Sequence, residues 1–200
     1  FASGRRAAAL LPGSPEYLRP LRGVRPRSGR HLNFYAADIG RDAQGRWWVL
    51  RDRTQAPSGT GYALENRIAL SRGLGQIFRS YGVERLASYF DSMRSMLGSQ
   101  RDAGDAGICL LTPGPHNETY FEHVYLSRYL GFRLVEGQDL SVQDDRVLLR
   151  TVGGLRPVNV LVRRLDADFA DPMELNTRSR LGVPGLIGAL RAGHVSVLNA

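Results

Sequence analysis

The sequence contains no lysine: all 27 of its basic residues are arginine. That absence excludes a P-loop, whose Gly-Lys-Ser/Thr ending supplies the ammonium that grips nucleotide phosphates. A single cysteine, Cys109, excludes a disulfide framework and points to a cytoplasmic protein. The four histidines are scattered without metal-type spacing, which argues against zinc. No apolar run approaches the roughly 18 residues needed to span a bilayer, so no membrane partner is expected. The apolar run at residues 7–11 is too short and too poorly flanked for a signal peptide, and a chain that begins at Phe1 reads as a piece cut from a longer one.

A net charge of +8 invites a nucleic-acid reading. The arginines are dispersed, however, except over residues 19–30, and no aromatic stacking motif accompanies that stretch. It reads as a solvated arm, and no nucleic-acid partner is expected. Complete replacement of lysine by arginine fits a compositional bias of the genome better than a basic binding face.

What is present is concentrated in residues 46–67, RWWVLRDRTQAPSGTGYALENR. Trp47, Trp48, Val49 and Leu50 read as a buried strand that delivers Asp52 and Thr54 to a sheet edge. Pro57, Gly59 and Gly61 then break regular structure. Upstream, residues 32–38 form a second strand-like run, and residues 39–45 have the Gly and Asp content of a hairpin connection. Pairing across that turn is expected to bring Asp38 close to Asp52 and Thr54, an oxygen set suited to Mg²⁺; the alternative is that Asp38 and Asp42 are turn residues. A helix over residues 63–74 follows, carrying Asn66 and Arg67. Its free N–H groups, beside the backbone of Ser58, Gly59 and Gly61, suit a phosphate.

The remaining pattern divides the chain into an extended arm (1–30), a hairpin-and-helix part (31–103) and an α/β part (104–200). Apolar residues at 83, 86, 90, 93 and 97 give an amphipathic helix closed by Gly98. After the polar residues 99–104 come a strand (107–112) containing a buried, inert Cys109, a turn, and a helix (118–130) with Phe121, Val124, Tyr125 and Tyr129 on one face. A strand at 132–135 completes a βαβ unit with a right-handed crossover. Strands at 146–150 and 158–162, a helix near 181–190 and a strand start at 194–199 follow. Open α/β sheets bind ligands at strand ends. That rule singles out His116, Asn117, Glu118 and Tyr120, then Glu136, Gly137 and Asp139, then Arg163, Arg164 and Asp166, against the plainer reading of turns and caps.

Three long segments, residues 35–67, 112–140 and 160–175, together resemble the circularly permuted ATP-grasp proteins, bacterial relatives of glutathionylspermidine synthetase. The resemblance runs from about residue 18 to the end and implies an incomplete, permuted ATP-grasp fold whose second half is the α/β domain that commonly helps bind the acceptor. It further implies a Mg²⁺-dependent ligase that uses ATP to activate a small-molecule or peptide carboxylate as an acyl phosphate, which an amine then attacks. Asp38, Asp52 and Thr54 take the metal positions, with Asp where the family pattern has Glu and Thr where it has Asn. Arg53 and Arg67 take charge-neutralising roles at the phosphates, and Asn66 is a catalytic candidate on the acceptor side. Asn117, Glu118, Arg163, Arg164 and Asp166 are candidates for the acceptor substrate. The nucleotide-binding lysines and the adenine cleft are expected beyond Ala200, so the fragment alone is expected to be inactive and to need the rest of its own domain as partner. A non-catalytic scaffold that binds a protein or peptide is the alternative, supported by Thr54.

Overall fold

Two stretches, Gly107–Leu111 and the second half of Gly154–Arg163, carry runs of consecutive buried residues, the pattern of strands covered on both faces. A computed structural model, which describes residues 13–14, 16–101 and 107–199, places them at the centre of a mixed sheet. The elements are β1 (Ala36–Arg41), β2 (Trp47–Arg53), α1 (Thr60–Gly73), α2 (Gly75–Ser80), α3 (Ala87–Gly98), β3 (Gly107–Leu111), α4 (Tyr120–Leu130), β4 (Arg133–Val135), β5 (Leu140–Gln143), β6 (Arg146–Thr151), β7 (Gly154–Arg163), α5 (Leu186–Arg191) and β8 (Ser196–Val197). β1 and β2 form a separate antiparallel hairpin.

The six-stranded sheet runs β4-β3-β7-β6-β5, with β8 also on β7. The expected parallel βαβ unit is present as β3-α4-β4. β7 changes partners along its length: its first residues pair antiparallel with β6, its last ones parallel with β3 and β8. The strand β5 has no counterpart in the sequence reading.

Alternation sorts the core into two layers. Cys109, Leu111 and Leu161 meet Leu186, Ala189 and Leu190 of α5 on one face. Leu110, Val160 and Val162 meet Leu64 of α1, Phe90, Met93 and Leu97 of α3, and Leu126 and Leu130 of α4 on the other. The boundary expected near residue 103 lies within residues 102–106, outside the described ones, and the core runs across it, since α1 and α3 pack on the sheet of the second half. Part of the expected arm, residues 1–12 with 15, also lies outside the described residues.

Two expectations are corrected. β2 is exposed along its whole length, Trp47 at 65% and Leu50 at 71%, because both faces of the two-stranded hairpin stand clear of the core. In α4 the buried face is Glu122, His123, Leu126, Ser127 and Leu130. The expected face is instead an outward ladder, in which Tyr62, Phe121, Tyr125 and Tyr129 stack at centroid spacings of 5.7, 6.0 and 6.4 Å. Among the described residues no helix is long and apolar enough to cross a membrane.

Cys109 is fully buried, and desolvation pushes its thiol up to about 12. As the chain's single thiol it should resist a thiol reagent in native buffer and react at once in denaturant. A fast native reaction measured by absorbance would contradict this placement.

Candidate functional site

The loop between β2 and α1 ends at Gly59, whose φ of 110° lies in the left-handed region that glycine adopts without strain. This turns the N–H groups of Gly59 and Gly61 toward one point. The anion at that point belongs to the protein. The Gly59 N–H donates to Oε1 and Oε2 of Glu122 at 2.9 Å, and the Gly61 N–H donates to Oε1 at 2.8 Å. The Glu122 side chain is wholly buried. A Cβ on Gly61 would stand 2.8 Å from Glu122 Cγ, so only glycine lets α1 approach α4 this closely.

Arg164, at the end of β7, completes the arrangement. Its guanidinium lies 3.5 Å from Glu122 Oε2 and donates to the Pro57 carbonyl at 2.9 Å. Burial lowers its pKa, and Glu122 partly restores it. Ser58 is exposed beside this cluster. The cradle expected of Ser58, Gly59 and Gly61 is therefore filled by a buried carboxylate, and Arg164 is spent on the same carboxylate and loop.

The hairpin carries three further carboxylates, each with its own donors. Asp42 closes the turn, accepting from the N–H groups of Gln44 and Arg46 at 3.0 and 2.9 Å and from Trp48 Nε1 at 2.9 Å. These donors, Trp48 first, hold its carboxyl below the usual carboxylate range. Asp38 accepts a forked pair from Arg53, Nε at 3.0 Å and Nη2 at 2.9 Å, and Arg53 holds its pKa down. Asp52 accepts from the Tyr35 hydroxyl at 2.6 Å, which raises the tyrosine pKa.

Register separates these acids. Ile39 pairs with Val49 but Asp38 pairs with Arg51, leaving Leu50 as a bulge; beyond it Ala37 faces Asp52. Paired residues share a face and neighbours alternate, so Asp38 and Arg53 lie on one face and Asp52 on the other. The expected meeting of Asp38 with Asp52 is thus corrected: without the bulge Asp38 would pair with Leu50, on the face of Asp52. Among the described residues no group of three or more His, Cys, Asp or Glu is placed to hold a metal ion. The Asp52 carboxylate and Thr54 hydroxyl, at one strand end, fit the chemistry of Mg²⁺ carried by a nucleotide, which needs few protein oxygens. Asp38 and Arg53, neutralising each other, do not.

Asn199 fixes this strand end to the sheet. Its backbone stands at a φ of 54°. Its amide accepts from the N–H groups of Asn33 and Phe34 and donates to the carbonyls of Phe34 and Thr54, at 2.6–3.0 Å. Arg163 is buried beneath, donating to the carbonyls of Leu165 and, at 2.5 Å, Asn199; burial lowers its pKa to about 10. Gln55 accepts from the Ala167 N–H at 3.0 Å. Between this assembly and the start of the described chain lies a cleft of about 460 Å³ that reaches Thr54, Gln55, Arg163, Arg22 and His31.

The other candidates are dispersed. Asn117 accepts from the Thr119 N–H and hydroxyl as a turn residue, Glu118 is exposed without a place in the cluster, and Asp166 is exposed at the start of the short turn 167–169. Asn66 is exposed, and Arg67 turns away from the hairpin to donate to the Glu84 carbonyl. Sequence reading missed Glu122, Asn199 and His123. The available signal was an acid and a histidine adjacent in a helix, with Leu126 and Leu130 one and two turns on.

His123 lies between Thr112 Oγ1, 2.8 Å from Nδ1, and Thr119 Oγ1, 3.1 Å from Nε2. Burial first, then Arg164, lower its pKa from 6.5 to about 4.

A family model described as circularly permuted ATP-grasp type 2 matches residues 2–200. An uncharacterized protein of Synechocystis sp. is 38% identical over 193 residues, covering 96% of this chain and 40% of the relative. Two uncharacterized proteins of Mycobacterium tuberculosis are each 36% identical, covering 96% and 95% of this chain and 35% and 22% of the relatives. The chain thus spans two fifths or less of the length of these relatives.

Two outcomes are expected. Glu122→Gln leaves Arg164 buried without its counter-charge and should cost about 3–5 kcal/mol in urea unfolding. Above pH 6.5 His123 is neutral in both folded and unfolded chains; as pH falls from 6.5 to about 4 only the unfolded chain takes up the proton, so stability declines. The loss is about 3 kcal/mol at 1.36 kcal/mol per unit, and His123→Asn should abolish that part of the pH dependence of the urea midpoint.

Proposed function

The chain belongs to the circularly permuted ATP-grasp type 2 family, and from that premise we propose that it contributes the metal-facing hairpin and acceptor-side sheet of an ATP-dependent carboxylate–amine ligase. The observation that carries this reading is the strand end at Asp52 and Thr54, anchored by Asn199, with Thr54 lining the cleft above Arg163. Asp52 and Thr54 would hold Mg²⁺, which, when bound, offsets the charge of the nucleotide phosphates. Tyr35, donating to Asp52, orients that carboxylate. The carboxylate substrate takes the γ-phosphoryl group of ATP, releasing ADP. The amine then displaces phosphate and loses a proton, giving the amide. In this reading Arg163, Gln55 and Arg22 line the acceptor side. The rest of the longer parent protein brings the nucleotide cleft and covers Trp47 to Leu50.

A second reading is a non-catalytic scaffold. It is favoured by the filled phosphate cradle at Glu122 and by the Asp38–Arg53 pair, which together remove three of the groups a phosphate site would use. Calorimetric titration of Mg²⁺ with ATP into the full-length parent separates the two. Asp52→Asn is expected to weaken binding by about tenfold or more, 1.4 kcal/mol at the least. Equal binding in both proteins would remove Asp52 from the site, and no binding in either would leave the scaffold.

A further inference from the structure

Arg67 has no place at the hairpin, and its surroundings make a second site. The chain turns sharply between α1, α2 and α3, and α1, α2 and the connection at residues 82–86 border an open cleft of about 560 Å³, within the size range of small-molecule pockets. Its walls include Leu64, Ile68, Phe78 and Leu86. Three guanidinium groups, Arg67, Arg79 and Arg85, stand against one carboxylate, Glu84. Arg67 is held in place: its guanidinium lies over the Phe78 ring, 5.9 Å from the centroid, and donates to the Glu84 carbonyl, leaving most of its five donors unused. Among the described residues neither Arg79 nor Arg85 has a side-chain hydrogen bond or ion pair.

We infer that this cleft binds an amphiphilic organic anion, a carboxylate or phosphate head carried on an aliphatic or aromatic body. The apolar walls take the body out of water, and the guanidinium forks pair with the head, for which they are matched in geometry. A bare anion lacks the first contribution and a neutral apolar molecule lacks the second. The site shares no residue with the strand end at Asp52, so it stands or falls independently of the ligase reading.

The test is calorimetric titration of the chain with octanoate and with octyl phosphate, beside octanol and inorganic phosphate, repeated on the Arg79→Ala/Arg85→Ala variant. Both arginines are exposed, so the variant should unfold at nearly the same temperature as the parent chain. The expected result is millimolar or tighter binding of at least one octyl anion, and weaker binding of octanol and of inorganic phosphate. The variant should lose about tenfold in affinity for that anion. Whichever octyl anion binds more tightly identifies the head group. Should the alanine variant unfold early, Arg79→Gln/Arg85→Gln, which removes both charges and keeps polar side chains, should show the same loss of affinity. No binding of either octyl anion, equal binding of octanol, or an unchanged affinity in the folded alanine variant would overturn the inference.

Discussion

A buried carboxylate must be surrounded by donors, and the Glu122 side chain obtains them from two separate parts of the chain. The Gly59 and Gly61 N–H groups come from the start of α1, and the Arg164 guanidinium from the end of β7. Each contributor is constrained in return. Gly59 has to take a left-handed conformation, Gly61 has to lack a side chain, and Arg164 has to give up its hydration, holding the Pro57 carbonyl as well. Helix α1, the loop leading to it and the central strand are thereby locked in one arrangement by a group worth little in net stability but costly to leave half-made.

The same arrangement decides what the neighbouring elements can do. A helix start with aligned N–H groups is a ready anion site, and here the protein's own anion occupies it, so any phosphate must be held elsewhere. The strand end at Asp52 and Thr54 is tied to the sheet through the Asn199 amide rather than through strand pairing. The hairpin thus hangs from the α/β body by a few directional bonds, with its apolar residues outside.

The sequence made the hairpin, the βαβ unit, buried Cys109 and the apolar face of α3 legible, since each rests on local periodicity and turn chemistry. What it left hidden depends on parity or on distant partners. Counting from the turn puts Asp38 and Asp52 on one face, and a single bulged residue, Leu50, reverses that parity. In α4 the aromatic residues mark a periodic apolar stripe, yet the buried stripe is the one with Glu122, His123 and Ser127, because their partners lie on other elements. Glu118 was singled out and Glu122, one turn later, was not: no local rule tells a capping acid from one whose donors come from over 60 residues away.

The Asn199 anchor sets an order on the making of the protein. The backbone groups it holds at Phe34 precede it by 165 residues, so on a ribosome the hairpin is complete long before its fastening exists. At typical elongation rates that interval is roughly ten to thirty seconds. During it two tryptophans and their apolar neighbours are displayed on strands with open edges, the kind of surface that nascent-chain chaperones cover.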